Sequence, residues 1–309
     1  MKVIATDLWF PEGPVVLPDG SFVVVEMRRQ TLTHIRRDGR TSVIARLGGG
    51  PNGAALGPDG HIYVCNNGGH RWKKSGAYLV PDGLPDDYTS GRIERVNLGN
   101  GRHEVLYEGD VNRKLRGPND LVFDALGGFW FTDFGRTRER DTDRGSVYYA
   151  KADGSMIREV IFPLIEPNGI ALSPDGKTLY VCETITARVW AWEIIAPGEL
   201  AFTRSHAPYR GRLVFSSSTF RHFDSMAVEA GGNLCIGTLA PGGITVCDSA
   251  GGGELEFFEI PDPLATNICF GGEGLKEAYV CASLTGRLLQ YEWPRAGLQL
   301  NCQTNAPGS

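Results

Sequence analysis

Six side chains that carry an oxygen atom stand at equivalent places in six similar segments of the chain. Each segment holds a polar residue, a short apolar run, a turn rich in Pro, Asp, Ala or Gly, and a second apolar run. In every copy the oxygen-bearing residue lies six positions before the first residue of the turn: Glu12, Asn52, Asn119, Asn168, Asp224 and Thr266. Carboxylate and amide oxygens are the ligands that hard divalent cations prefer. If the six segments surround one axis, these side chains meet there, and the pattern predicts a cation site.

The charges of this set suit one dication. Glu12 and Asp224 bring two negative charges, and Asn119 and Asn168 add neutral amide oxygens, while waters complete the roughly six to eight positions that Ca²⁺ takes. We therefore expect one divalent cation, with Ca²⁺ favoured and Zn²⁺, Mn²⁺ or Mg²⁺ as alternatives. Such an ion polarises a carbonyl or phosphoryl oxygen. A carboxylate beside it, for which we choose Asp224, serves as the general base toward water.

The elements that must position these residues are strands. Two alternating apolar runs joined by a Gly-bearing turn are typical of a β-hairpin, and the six copies span 10–25, 50–64, 117–132, 166–181, 222–237 and 264–280. Second hairpins are predicted between and after them, at 32–45, 93–109, 146–162, 189–204, 244–260 and 287–300. Two hairpins per unit predict an all-β fold, a six-bladed β-propeller of four-stranded antiparallel blades, in one domain over 1–309. Val3 to Leu8 is expected to supply the outer strand of the last blade.

Composition narrows the class of protein. The chain has 309 residues and a formal net charge of −5, and its short basic stretches, such as Arg136 to Arg144, are expected to form a solvated surface, so no nucleic-acid partner is predicted. The N-terminus lacks the apolar core of a signal peptide, and no run approaches the roughly twenty apolar residues of a membrane span. We expect a soluble, cytoplasmic protein, monomeric or weakly homo-oligomeric, with no membrane partner. The seven cysteines are expected to be buried free thiols.

One interval between the aligned positions, from Asn52 to Asn119, is longer than a blade needs. It contains the segment 66–92, which is rich in aromatic and cationic residues, among them His70 and Trp72. Long loops in compact domains tend to be functional or disordered. A lid or pocket wall and a flexible surface loop are the two readings left open.

Four stretches carry a resemblance to a known family: EGP at 12–14, GPNDLVFDALGGFWFTD at 117–133, EPNGIALSPDG at 166–176 and DSMAVEAGGNLCIGT at 224–238. In this order, over nearly the whole chain, they resemble the senescence-marker-protein/gluconolactonase/luciferin-regenerating-enzyme family, to which diisopropyl-fluorophosphatase is related. The resemblance implies a six-bladed propeller with one catalytic divalent cation, often calcium, in its central tunnel. It implies ligands at Glu12, Asn119, Asn168 and Asp224, which are four of the six residues found from the repeat.

The sequence departs from the family at one substrate contact. Sugar-lactonase members often place an Arg two residues before the Asn of the third motif, where this chain has Gly117, and the nearest arginine is Arg116. Arg116 is one of the candidates for substrate binding. The others are Asn52, His70 and Trp72, and Ser225, which is placed to help position the attacking water.

These observations favour a metal-dependent hydrolase that opens a sugar lactone or another small lactone by attack of an activated water on a polarised carbonyl. A phosphotriesterase-like hydrolase and a non-catalytic calcium-binding propeller remain as alternatives. Ser/His/Asp catalysis has little support, because the chain contains no G-x-S-x-G elbow. His206 and His222 lie near the fifth segment, either at the tunnel mouth or as structural residues.

Overall fold

Short strands make up nearly all of the regular structure in the computed structural model, which describes residues 1–203 and 208–303. The chain opens with β1 (Lys2–Ala5), followed by β2 (Pro11–Val16), β3 (Phe22–Glu26), β4 (Thr31–Ile35) and β5 (Thr41–Arg46). Next come β6 (Pro51–Leu56), β7 (Ile62–Asn66), β8 (Trp72–Ser75), β9 (Tyr78–Pro81), β10 (Arg92–Val96) and β11 (His103–Tyr107). The third group is β12 (Pro118–Phe123), β13 (Gly128–Asp133), β14 (Gly145–Lys151) and β15 (Ile157–Leu164).

The second half repeats this plan. It contains β16 (Pro167–Leu172), β17 (Thr178–Glu183), β18 (Arg188–Ala196), β19 (Glu199–Ala201) and β20 (Arg212–Ser216). It continues with β21 (His222–Val228), β22 (Leu234–Leu239), β23 (Gly243–Asp248), β24 (Gly253–Glu259), β25 (Ala265–Gly271), β26 (Glu277–Ala282) and β27 (Arg287–Glu292). The helical segments among the described residues are two single 3₁₀ turns, Pro208–Arg210 and Glu273–Leu275.

Apart from the separate two-stranded sheet β8–β9, these strands form six antiparallel sheets, and the predicted six-bladed propeller is confirmed. Blades 1 to 5 begin with β2, β6, β12, β16 and β21, and blade 6 begins with β25. Each of these inner strands lies beside the inner strand of the next blade, and β25 returns to β2, so the ring closes around one axis. Strand β1 pairs with β27, which places the outer strand of blade 6 at the N-terminus as predicted. Blade 6 therefore contains strands from both ends of the chain, and this pairing holds the ring closed.

Two predicted hairpins differ from the structure. The stretch 287–300 forms only β27, because β1 already occupies the outer edge of that strand. The residues after β27 run instead across one end of the propeller axis to blade 5, where Leu298 N donates to Val228 O at 2.8 Å. In blade 4, β18 pairs with the short β19 over one part of its length and with β20 over another, so the outer strand is supplied in two pieces.

The core lies between neighbouring blades as six apolar clusters. Blades 4 and 5, for example, bury Val189, Phe223 and Ile236 against one another, while blades 6 and 1 bury Phe22 and Leu288. All seven cysteines are buried and unpaired, as expected. Across residues 1–203 and 208–303, no helix has the length and apolar character needed to cross a bilayer.

Candidate active site in the central cavity

A cavity of about 400 Å³ lies at one end of the propeller axis. All six oxygen-bearing residues of the repeat line this central cavity: Glu12, Asn52, Asn119, Asn168, Asp224 and Thr266. Each of the six is at most 9% exposed. The structure therefore brings together, at one place, one side chain from each blade.

The local backbone explains why these side chains point inward. In every blade the pairing between the inner strand and its neighbour shifts register at or beside the oxygen-bearing residue, as in Glu12–Val15 of blade 1 and Phe223–Met226 of blade 5. Such β-bulges bend a strand and redirect a side chain out of the regular alternation. The inner strand can therefore contribute to the interblade core along most of its length and still present one polar group to the axis.

Glycine follows the oxygen-bearing residue in three blades, as Gly13, Gly53 and Gly169, because the next inner strand lies too close for a side chain. A Cβ on Gly53 would stand 2.4 Å from the carbonyl oxygen of Asn119 and 2.7 Å from the Cα of Asp120. The corresponding closest distance is 2.6 Å for both Gly13 and Gly169. The glycines of the EGP and PNG stretches thus allow the inner strands to approach one another around the axis, and they lie within strands.

The hydrogen bonding of the candidate ligands is compatible with a bound divalent cation. The side-chain oxygens Oδ1 of Asn119 and Asn168 are buried and have no hydrogen-bond partner among the residues that the structure describes. The amide of Asn168 is oriented by Nδ2, which donates to Thr184 Oγ1 at 3.0 Å. A buried polar atom left without a partner is costly, and a cation would supply the missing interaction for both oxygens. Among the described residues no group of three or more His, Cys, Asp or Glu forms a metal site, so the donor set rests on amides as well as carboxylates.

The electrostatics of the cavity favour the same conclusion. Burial raises the pKa of Glu12 to about 7, against hydrogen bonds from Thr266, Asn267 and the Gly13 N–H that lower it. Burial and then the neighbouring charge of Glu12 raise the pKa of Asp224 well above its usual range. Two carboxyl groups that oppose each other's ionisation in a buried cavity are stabilised as anions by a positive ion placed between them.

Two of the five predicted substrate-binding residues line the central cavity, and three do not. Asn52 and His70 line the central cavity. Trp72 lies one layer behind the wall, where its ring packs edge-on against Phe10 with centroids 5.2 Å apart. Ser225 is fully buried and is not part of the cavity wall. Arg116 is exposed and is likewise absent from the wall.

The segment 66–92 forms part of the wall. It supplies Asn67, His70, Pro81 and Gly83 to the central cavity and carries the separate hairpin β8–β9. Of the two readings left open by the sequence, the structure supports the pocket wall. His222 packs against Phe220, with ring centroids 4.9 Å apart, and His206 lies outside the described residues.

Sequence reasoning missed two charged groups at the axis. Arg136, expected on a solvated surface, is only 6% exposed and lines the central cavity, so that expectation was wrong for this residue. Asp120 is buried beneath Asn119 and faces a smaller cavity at the opposite end of the axis, and burial raises its pKa to about 7. The repeat held a signal for Asp120, which stands where three other copies have glycine.

A second ring of wall residues was also available from the repeat. Met27, Asn67, Phe134 and Thr184 each directly follow the second strand of their blade, and all four line the central cavity. An alignment on the ends of the second strands would have found them. Arg136 lies two residues beyond Phe134, in a loop between the second and third strands that is longer than its equivalents in blades 1, 4, 5 and 6.

Comparisons with known proteins identify the family and the shared fold. Residues 10–283 match the family model described as "SMP-30/Gluconolactonase/LRE-like region". A gluconolactonase of Zymomonas mobilis is 26% identical over 302 residues, covering 89% of this chain and 76% of that protein. Diisopropyl-fluorophosphatase of Loligo vulgaris is 25% identical over 97% of this chain and 94% of its own length. The solved structure of a calcium-binding protein, regucalcin, from Agrobacterium tumefaciens superimposes with a TM-score of 0.71 at 17% identity, over 97% of this chain and the whole of that one, and shows the shared fold.

Proposed function

Because the chain belongs to the SMP-30/Gluconolactonase/LRE-like family, we propose that it hydrolyses a lactone in the central cavity with the help of one divalent cation. The observation that carries the proposal is the convergence of one oxygen donor from each blade, with two amide oxygens that have no partner within residues 1–203 and 208–303. The gluconolactonase relative supports a lactone as the substrate. The reaction adds water across the ring ester and releases an open-chain hydroxy acid.

Glu12, Asn119, Asn168 and Asp224 are the residues that would hold the cation, with Ca²⁺ favoured by an all-oxygen donor set. When bound, the cation supplies Lewis-acid polarisation of the carbonyl oxygen and compensation for negative charge that develops on it. Asn52 also lines the cavity and is available to orient the substrate's ring oxygens, whereas the Thr266 hydroxyl is bonded to Ser283 Oγ at 2.6 Å.

Asp224 is our candidate general base. Its carboxylate faces the cavity, and it takes a proton from the water whose oxygen adds to the carbonyl carbon. The ring C–O bond then breaks, and the proton is returned to the leaving alkoxide oxygen, so that no charge is left on the ring-opened alcohol. Burial of the site keeps bulk water from competing with the positioned one.

The test is a panel of sugar, aliphatic and aromatic lactones assayed after chelation and after each of Ca²⁺, Mg²⁺, Mn²⁺ and Zn²⁺ is added back. We expect hydrolysis of at least one lactone to be lost on chelation and restored by Ca²⁺. Full activity in the chelated protein would refute the role of the cation. Tight Ca²⁺ binding without turnover of any lactone would favour the non-catalytic calcium-binding propeller.

A phosphotriesterase-like hydrolase is the second candidate, favoured by the relationship to diisopropyl-fluorophosphatase over nearly the whole chain. The same donor set would serve a phosphoryl oxygen as well as a carbonyl oxygen. A direct comparison of kcat/KM for the best lactone and for an organophosphorus fluoride, with the same calcium-loaded protein, decides between them. We expect the lactone to be preferred.

A further inference from the structure

Arg136 is a buried cation in the wall of the central cavity. It follows β13, is 6% exposed, and its Nη2 donates to the carbonyl oxygen of Gly69 in the segment 66–92. Its Nη1 lies 3.4 Å from Nε2 of His70, and the guanidinium stands 5.2 Å from the ring centroid of Tyr88. In the part of the chain that the structure describes, Arg136 forms no ion pair and its Nε donates no hydrogen bond.

The neighbouring acids are committed elsewhere. Asp133 accepts hydrogen bonds from the backbone N–H groups of Arg116 at 2.7 Å and Gly117 at 2.6 Å. Asp143 is paired with Arg138 through two bonds of 2.8 and 3.1 Å. Among the residues that the structure describes, no carboxylate forms an ion pair with Arg136, and the charges of Asp133 and Asp143 act on it only at longer range.

His70 does not neutralise it either. Burial, with the charge of Arg136 second, lowers the pKa of His70 to about 3, so the imidazole is neutral at physiological pH. A buried positive charge without a counter-ion is unfavourable unless a ligand supplies one. The planar fork of a guanidinium matches a carboxylate, which it binds through parallel hydrogen bonds.

The cavity thus has charges of opposite sign on different walls. Glu12 and Asp224 provide the acidic part that would hold a cation, and Arg136 provides a basic part on the loop after β13. A substrate with an ester carbonyl and a separate anionic group can contact both parts at once. A neutral lactone leaves Arg136 without a counter-charge.

We propose that Arg136 binds a carboxylate substituent on the substrate, so that the favoured substrates are lactones that carry a free carboxylate on the ring. This inference rests on the proposed lactonase function and deepens it. The carboxylate accepts hydrogen bonds from the free donors of the guanidinium, and this contact fixes which end of the lactone faces Asp224. Arg136 takes no part in the bond-breaking steps and acts on binding and orientation.

The kinetic test uses a matched pair of substrates, 5-oxotetrahydrofuran-2-carboxylate and its carboxamide, with the calcium-loaded protein. We expect the wild type to prefer the carboxylate in kcat/KM. The Arg136→Met variant should reduce the ratio of the two values by about tenfold or more, mainly through KM, because a charge-assisted bidentate contact is lost. Arg136→Lys, which keeps the charge and loses the fork, should recover part of the ratio.

Arg140→Met is the matched control, since it removes an exposed guanidinium from the same loop, outside the cavity wall. Its ratio should equal that of the wild type. A wild type that prefers the carboxamide or treats the two substrates alike would overturn the inference, and lactonase activity on the carboxamide would leave the proposed function standing. A loss of preference in Arg140→Met with none in Arg136→Met would also overturn it.

A binding measurement keeps the inference testable apart from turnover. The probes are tetrahydrofuran-2-carboxylate and tetrahydrofuran-2-carboxamide, which have no lactone bond, and binding is measured by isothermal titration calorimetry. The wild type should bind the carboxylate about tenfold more tightly than the carboxamide. Arg136→Met should bind the two with equal affinity. If Arg136→Met still binds the carboxylate more tightly and this preference is lost on chelation, the carboxylate binds the cation and the inference is refuted.

Discussion

At the scale of single residues, the repeat identified the acidic part of the site and not the basic part. Glu12 and Asp224 could be found because each blade repeats the position, and the inner-strand bulge aims them at the axis. Arg136 occurs once, and its burial depends on Gly69 and Tyr88 of a distant segment. Contacts of that kind carry no local sequence period, so the stretch around Arg136 resembled a solvated surface.

The candidate base gives a prediction at this scale. Asp224→Asn keeps the size of the side chain and removes its ability to take a proton, so kcat on the best lactone should fall by at least about a hundredfold. Calcium affinity should also weaken, because one negative ligand becomes neutral. Steady-state kinetics and calorimetric titration of Ca²⁺ measure the two effects separately.

An exposed carboxylate serves as the control for Asp224. Asp38 lies in the turn between β4 and β5, where it is paired with Arg40 on the surface. Asp38→Asn should retain wild-type kcat and calcium affinity, since exposed ion pairs contribute little. Unaltered turnover in Asp224→Asn would remove that residue from the role of base.

At the scale of elements, the strands were predictable because their apolar alternation and their turns repeat six times. The function of the glycines was not predictable from the same pattern. Gly53, next to Asn52 in the PNG stretch, lies inside β6 against the backbone of β12. Whether a glycine serves a turn or a close approach depends on the neighbouring blade, and a single strand's sequence does not contain that information.

Gly53 therefore provides a prediction about how the inner strands hold the site. A Cβ in Gly53→Ala would clash with the backbone at Asn119 and Asp120, so β12 must shift or the variant must lose stability, by about 1–3 kcal/mol. Because Asn119 is a candidate ligand, a shift of β12 should also lower the affinity for calcium. The measurements are urea denaturation and calcium titration.

Gly231 offers the matched control for the same substitution. A Cβ on Gly231 would meet no atom within 4 Å, and its backbone does not require a positive φ. Gly231→Ala should change the free energy of unfolding by less than about 1 kcal/mol and leave calcium affinity unaltered. Equal effects of the two substitutions would show that the inner strands are not sterically limited at Gly53.

At the scale of the whole molecule, the arrangement of six blades was predictable, whereas the paths of the N- and C-terminal segments were only partly predictable. The pairing of β1 with β27 was expected, since a ring of blades must close. The residues after β27 were expected to form a hairpin, yet they cross to the far end of the axis, where Leu298 and Cys302 help to line the smaller cavity of about 130 Å³. No repeat specifies that path, which is fixed by tertiary contacts to blade 5.

One of those contacts is a buried carboxylate that ties the crossing segment to blade 5. Glu229 accepts hydrogen bonds from Trp293 Nε1 at 2.7 Å, Arg295 Nε at 2.6 Å and Asn233 Nδ2 at 2.8 Å. Burial by itself would raise the pKa of Glu229, but these hydrogen bonds, with that of Arg295 foremost, outweigh it and hold the pKa below its usual 4.5.

This depressed pKa predicts how stability depends on pH. The unfolded chain takes up a proton near pH 4.5, above the pKa of Glu229 in the folded protein, so the contribution is complete above about pH 4.5 and is lost as the pH falls below it. Arg295→Met should lower the urea midpoint at pH 7, and the difference from wild type should shrink as the pH approaches 3. Glu256→Gln, which breaks only the partly exposed pair of Glu256 with Arg295, should change the midpoint little at any pH. A deficit in Arg295→Met that stays constant from pH 7 to pH 3 would mean that the arginine stabilises the crossing segment by packing and that Glu229 does not titrate with folding.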